Sequence, residues 1–234
     1  MRVLVIGDIH GRYEALKEVL TKSKFDYKKD KLIVIGDVVD GGEDTYEVVE
    51  ELLKIQNLVF IEGNHDLWFR SHLNSGWAEE IWLQQGGANT LRSYGASVKE
   101  GKRYDNESWV STVDMNVPVT HQDFFNHAKD YHIEDNMLFV HGGFDIQKGV
   151  ENTDKHTLIW DRELIKIAQS GIQIPLYDKV FVGHTTTETY GGLQPIRFSN
   201  LLMIDTGAGW AGKLCIMDIL TEKYWLSKKL KPCR

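Results

Sequence analysis

The sequence predicts an α/β protein built around a parallel sheet with a second sheet packed against it, and three observations carry that prediction. Short, nearly all-apolar runs alternate with amphipathic stretches through the first third of the chain. Each of these runs gives way to a glycine-led polar cluster. The second half then supplies further short apolar runs, enough strands for another sheet.

Taken in order, Arg2–Gly7 (RVLVIG), Lys31–Gly36 (KLIVIG) and Asn57–Glu62 (NLVFIE) read as strands covered on both faces, because such strands lose the apolar–polar alternation of half-exposed ones. Between the first two, Tyr13, Leu16, Val19 and Leu20 recur at helical spacing; between the second and third, Tyr46, Val49, Leu52 and Leu53 do the same. This is a βαβαβ pattern, which predicts parallel strands joined by right-handed crossovers. From about Leu67 to Asp135 the chain is richer in aromatics and less regular. It reads as short helices near Ala78–Gln85, Asn89–Tyr94 and Thr120–Asp130, with a turn at Asp135-Asn136. Strands follow at Met137–Val140, Lys179–Val182, Leu201–Asp205, Lys213–Ile219 and Lys223–Leu226, the last two forming a hairpin around Leu220-Thr221-Glu222. The 234 residues fit one large domain, 1–234, with an insert at about 67–135.

Composition narrows the partners. A formal charge of −7 and a pI near 5.7 argue against a broad basic face, so no stable nucleic-acid binding is expected. A nucleotide remains open as a substrate, since a metal site supplies positive charge locally. The two cysteines, Cys215 and Cys233, make neither a disulfide framework nor a Cys-based zinc site. No apolar run approaches the ~20 residues of a membrane helix, and no leader pattern precedes the first strand. A soluble, cytoplasmic protein with no membrane partner is the expectation.

The polar clusters point to chemistry. Gly7-Asp8-Ile9-His10-Gly11, Gly36-Asp37-Val38-Val39-Asp40 and Gly63-Asn64-His65-Asp66 follow the first three strands. His141-Gly142-Gly143 and Gly183-His184 follow two later ones. Singly, a Gly-Asp at a strand end is more often a cap or a solvated loop. In open parallel sheets, however, ligands sit beyond the C-terminal strand ends, so five such clusters meet in space. Two cations ~3.5–4 Å apart make a strong nucleophile from water and compensate charge on phosphoryl oxygens. Mixed carboxylate, imidazole and amide donors suit Mn²⁺, Fe or Zn²⁺ better than Mg²⁺. A carboxylate shared by both ions belongs on the middle of the first three strands, which places it at Asp37.

GDIHG, GDVVDGG, GNHD, HGG and GHT, in that order, resemble the phosphoprotein-phosphatase branch of the calcineurin-like metallophosphoesterases. Trp82-Leu83…Gly86-Gly87…Thr90-Leu91…Ser93-Tyr94-Gly95 is similar to the region after GNHD in bacterial members. The resemblance implies a four-layer α/β/β/α sandwich of two mixed sheets flanked by helices. It implies one metal on Asp8, His10 and Asp37, and another on Asn64, His141, His184 and the same Asp37, with a bridging hydroxide as nucleophile. His65 would be the general acid, oriented by Asp40, and Arg162 would bind a phosphoryl oxygen. The branch implies a phosphorylated protein as substrate, with a dinucleoside polyphosphate or phosphodiester as alternative and a non-catalytic scaffold as a third reading. Branches that cleave diesters read Gly-His-x-His at the last motif; Gly183-His184-Thr185-Thr186 lacks the second imidazole, which favours a phosphatase.

One departure stands out. Phosphatases of this type read Gly-Asp-x-Val-Asp-Arg-Gly, whereas this chain has Gly41 where the arginine is expected. Either Arg12, Arg70, Arg92 or Arg103 fills the space, or the site is opened for a larger substrate, or the enzyme is a poorer monoesterase. Among the aromatics of the insert, Trp68, Phe69, Trp77, Trp82 and Trp109 read as a satellite core, with Trp68 and Phe69 the best candidates for a substrate wall. Asp66 reads as steadying the His65 loop, and Asp205 either as a carboxylate behind a ligand histidine or as a turn former before Gly207, with the turn favoured. His72, His121, His127, His132 and His156 read as surface or capping residues.

Overall fold

The computed structural model describes residues 1–99, 109–112 and 114–232. Arg103 and Cys233 lie outside the described residues, as does the side chain of Trp109.

The first sheet is nucleated by the predicted βαβαβ unit: β1 (Val3–Ile6), α1 (Tyr13–Ser23), β2 (Lys31–Val34), α2 (Thr45–Leu52) and β3 (Asn57–Phe60). β1 pairs parallel with β2, and β2 parallel with β3, so β2 is the middle strand of the three. The insert contributes α3 (Asn64–Ser75), a short α4 (Glu80–Trp82) running into a π turn at Leu83–Gly87, then α5 (Ala88–Ser93). A small hairpin, β4 (Ser97–Lys99) and β5 (Trp109–Ser111), and α6 (Val119–Asn126) complete it. The second sheet holds β6 (Tyr131–Glu134), β7 (Met137–Val140), β8 (Lys179–Val182), β9 (Ile196–Phe198) and β10 (Leu201–Met203) in the order β6-β7-β8-β10-β9. Two helices, α7 (Lys155–Trp160) and α8 (Glu163–Gln169), lie between β7 and β8 in the chain.

The apolar runs explain the layering. Residues alternate across each strand, so Val3, Val5 and Ile33 join Phe139, Phe181 and Leu202 in a core between the two sheets, where the rings of Phe139 and Phe181 stack at 4.9 Å. Leu4, Ile6, Leu32 and Val34 face the other way, onto Leu16, Val19, Val49 and the aromatics of the insert. Leu138, Val140, Val180 and Val182 face Leu164, Ile165 and Ala168 of α8. The result is the expected helix–sheet–sheet–helix sandwich with mixed sheets.

Some elements differ from the reading. The C-terminal hairpin, β11 (Cys215–Asp218) and β12 (Tyr224–Leu226), joins the first sheet rather than the second, giving the order β12-β11-β1-β2-β3. β11 runs antiparallel to β1 and covers an edge that would otherwise be bare. The stretch after Asn64, read as irregular, is the twelve-residue helix α3. The sequence reading contains no counterpart of strands β4, β5, β6 and β9 or of helices α7 and α8. The turn at Asp135-Asn136 is where it was expected, with φ of 48° and 60° for the two residues, the left-handed pair that closes a tight hairpin. Of the histidines read as surface residues, His72 and His121 are buried. His121 bonds Tyr94 Oη at 2.9 Å and Glu50 of α2 at 2.8 Å, so its buried ring nitrogens are satisfied between the insert and α2. Among the described residues, no helix is long and apolar enough to cross a membrane.

Candidate metal centre

Because β1, β2 and β3 are parallel, and β7, β8 and β10 are parallel too, the loops that follow them open on one rim. Chain reversal there is abrupt. His10, Asp37, Asp40 and His184 all adopt positive φ, between 50° and 71°, a region that non-glycine residues enter at a cost of roughly 1 kcal/mol or more. Such turns aim side chains back over the strand ends. Their flanking glycines give the side chains room: a Cβ on Gly63 would strike the Asp37 carboxylate, and one on Gly183 would strike Asp8.

Asp37 lies at the centre. Its Oδ2 is 3.4 Å from His141 Nε2 and 3.7 Å from His10 Nε2, while its Oδ1 accepts the His65 amide at 3.0 Å. Asn64 Oδ1 is 2.8 Å from His184 Nδ1 and 3.2 Å from His141 Nε2. The His184 amide donates to Asp8 Oδ2 at 3.0 Å. Two rings are oriented from behind: His10 Nδ1 donates to Val39 O at 3.1 Å and His141 Nδ1 to Ile35 O at 2.7 Å. A carbonyl can only accept, so each ring turns its Nε2 toward Asp37. Two groups therefore could hold a cation, with donor atoms within 4.8 Å of one another: His10, Asp37 and His65, and Asp37, His141 and His184. The structure thus brings together all six residues read as ligands and adds His65 to the first group. Asp8 enters through the hydrogen bond its carboxylate accepts from the His184 amide rather than through either donor cluster.

The electrostatics call for positive charge. Asp8, Asp37, Asp40, Asp66 and Asp205 are each 3% exposed or less, and burying that many carboxylates together is costly without cations. Burial, then Asp205, raises the Asp8 carboxyl well above the usual range. Burial also raises Asp205, to about 6. Burial opposes ionised Asp37 as well, but His141, His65 and His10 outweigh it and hold this carboxyl far below its usual value. Burial disfavours charge on His141, yet Asp37 lifts it to about 10; burial wins at His10, lowered to about 4, and at His184, lowered to about 3. Asp8 Oδ1 and His184 Nε2 are buried with no hydrogen-bond partner among the described residues. Crowded acids, a protonated imidazole and orphaned donors are what a cation would relieve. The donor set of carboxylate, imidazole and amide fits divalent ions.

Beside this cluster, His65 Nδ1 is 2.6 Å from Asp40 Oδ2. Burial would lower the His65 pKa, but Asp37 and Asp40 raise it to about 9. Asp40 itself accepts Trp82 Nε1 at 2.8 Å and Thr90 Oγ1 at 2.7 Å, both from the insert. Neither role is legible in the sequence, where Trp82 reads as packing and Thr90 as part of a motif. Asp66 steadies the loops as expected, accepting the amides of Gly63, Asp37 and Val38 at 2.7–2.9 Å. Asp205 accepts the Gly207 amide at 2.9 Å, the turn-forming contact expected of it. Trp68 is half-buried and sets its ring edge-on to His65, 5.1 Å away, whereas Phe69 and Trp82 are core and Trp77 is 73% exposed.

A cavity of about 680 Å³ opens over the cluster. Arg162 lines it, exposed, beside His184. Arg12, Arg70 and Arg92 do not fill the space left by Gly41. Arg12 donates to the carbonyls of Ala208, Trp210 and Lys231, Arg70 pairs with Glu62, and Arg92 bonds Asn89 and Val98 O. The π turn comes in instead: a Cβ on Gly86 would collide with the Gly41 backbone, and Asn89 Nδ2 donates to Gly41 O at 2.7 Å.

The sandwich, the rim and the cation-seeking cluster define a metal-dependent hydrolase of phosphoesters, and the sequence of residues 1–203 matches the calcineurin-like phosphoesterase family, to which the chain belongs. It is 26% identical to serine/threonine-protein phosphatase 1 of Salmonella typhimurium, over 93% of this chain and 91% of that one. A 68-residue stretch is 44% identical to a symmetrical bis(5'-nucleosyl)-tetraphosphatase of Buchnera aphidicola, covering 29% of this chain and 25% of that protein. Among solved structures, a protein provisionally named a diadenosine tetraphosphatase superposes with a TM-score of 0.68 at 18% identity, covering 96% of this chain and 92% of that one.

Proposed function

We propose that this chain hydrolyses phosphomonoesters as a serine/threonine protein phosphatase, with a phosphorylated protein as partner. The observation that carries the reading is the meeting of Asp8, His10, Asp37, Asn64, His141 and His184 around one rim. The full-length match to a serine/threonine-protein phosphatase supports it. In this reading Asp8, His10 and Asp37 hold one divalent cation, and Asn64, His141, His184 and Asp37 hold a second. Mn²⁺ fits the donors best, with Fe or Zn²⁺ compatible. When bound, the cations supply Lewis acidity and positive charge for the phosphoryl oxygens.

The chain's own groups do the rest. His65, kept protonated beside Asp40, gives its proton to the departing ester oxygen. Asp40 is fixed by Trp82 and Thr90, so the imidazole is held in one orientation. Arg162 binds a phosphoryl oxygen through its permanently charged fork. The insert at 67–135 is a specificity segment that buttresses Asp40 and walls the cavity. A cytoplasmic setting is proposed on the low cysteine content.

A second reading, hydrolysis of a dinucleoside polyphosphate or phosphodiester, is favoured by Gly41. Without the guanidinium, the cavity has Arg162 as its arginine among the described residues, and its volume suits a ligand larger than a phosphoseryl group. Turnover of p-nitrophenyl phosphate, bis-p-nitrophenyl phosphate, diadenosine tetraphosphate and a phosphopeptide by the Mn²⁺-loaded protein separates the two. Preference for the phosphopeptide supports the first reading; preference for the tetraphosphate or the diester replaces it with the second.

A further inference from the structure

The loop between β10 and β11 reaches the cavity and is held unusually firmly. Gly212 N and Trp210 N both donate to Gly207 O, at 2.8 and 3.1 Å. Arg12, just beyond the first polar cluster, ties three carbonyls together: Ala208 at 3.1 Å, Trp210 at 3.1 Å and Lys231 at 3.0 Å. Gly209 presses on the His10 ring so closely that an added Cβ would sit 2.6 Å from Cδ2. The backbone on either side of Trp210 is therefore fixed relative to the candidate metal ligands.

The Trp210 side chain takes no part in that fixing. It is 66% exposed and, among the described residues, joins none of the three apolar cores. It lines the cavity with Ala211, Pro232 and Thr189, and His10 and Asn64 line the same cavity. An indole gains most from burial of all side chains, so one held in water on a rigid loop at a site's mouth is stabilised when a ligand covers it. Indole faces favour planar aromatic groups.

The geometry points to Trp210 as a specificity-determining residue whose indole receives a planar aromatic group that the phosphoester substrate carries beside its phosphate. The inference rests on the phosphoesterase reading above. Its test is a binding measurement: calorimetric titration of the Mn²⁺-loaded protein with phenylphosphonate and with methylphosphonate. Wild type binds the phenyl compound about tenfold more tightly, the upper scale of one aromatic contact. In W210A that preference falls to a fewfold or less, and W210F restores most of it. The non-hydrolysable phosphonate analogues of O-phosphotyrosine and adenosine 5′-monophosphate, titrated in the same way, distinguish a tyrosyl ring from a purine, and weakening of either in W210A supports the inference. An equal preference in wild type and W210A overturns it, as does equal or absent binding of both phosphonates by wild type. Turnover of p-nitrophenyl phosphate by the same samples reports separately on hydrolysis, so an inactive protein that keeps a Trp210-dependent preference counts against the function and not against this contact.

Discussion

Asp40 receives three side-chain donors at once, His65, Trp82 and Thr90, although it is fully buried and burial raises its pKa. A carboxylate so supplied is a fixed anchor, and the imidazole it holds reaches the site in a single orientation. His65→Asn should therefore lower kcat by about 10²–10⁴-fold, the scale of general acid catalysis, while metal content stays the same. Asp40→Asn should fall in the same direction by less, because the ring survives and only its orientation and charge are disturbed. Steady-state kinetics beside metal analysis checks both, and unchanged turnover in His65→Asn removes the acid role. Gly41 poses the opposite question. Its φ of 76° costs an arginine about 1–2 kcal/mol, so Gly41→Arg should melt somewhat lower. It should nevertheless turn over p-nitrophenyl phosphate faster, because a guanidinium at the phosphate is a strong charged donor. Slower turnover by a folded, metal-loaded variant would mean that the space belongs to the substrate.

At the scale of elements, strands and their ends were legible, and much of what surrounds them was not. A strand buried on both faces cannot hide: RVLVIG and KLIVIG admit few other readings, and the glycine after each marks where the chain turns. α3 hid because its buried positions, Asn64, Asp66, Phe69 and His72, include three polar residues that bond inward, leaving little apolar period to read. The Trp82–Asp40 bond joins residues 42 apart, and no local pattern records such a pairing. The sheet's lower edge is tied in a similar way. Arg2 and Asp26 donate their amides to Asp30, Arg2 adds a guanidinium bond, and the Arg2 side chain also reaches Ser23 O and Lys24 O. Burial would raise the Asp30 pKa, but these bonds lower it overall. A depressed carboxyl stabilises the fold above its unfolded pKa near 4, and that contribution is lost as pH falls through the lower folded value. Asp30→Ala should thus cost about 1–3 kcal/mol at neutral pH and less in acid. Urea unfolding at pH 7 and pH 3 checks it; an equal loss at both would rule out the charged form as the cause.

For the whole molecule, the sandwich is a device for bringing sequence-distant loops to one rim. Asp8 and His184 lie 176 residues apart and are joined by a hydrogen bond. The sequence named both because each follows an apolar run, but it could not show the Arg12 clamp or the close seat of Gly86 on Gly41. Those depend on where the insert and the C-terminal segment come to rest. The central claim is that the gathered donors hold a pair of divalent ions for phosphoester cleavage, with Asp37 shared between them. The direct measurement is metal content per chain, by mass spectrometry after Mn²⁺ loading and desalting, for the wild type and Asp37→Asn. The account predicts close to two ions in the wild type, loss of both metal and turnover in Asp37→Asn, and loss of wild-type turnover on chelation with recovery on Mn²⁺ return. A wild type that retains no metal, or an Asp37→Asn protein that keeps both metal and activity, would contradict it.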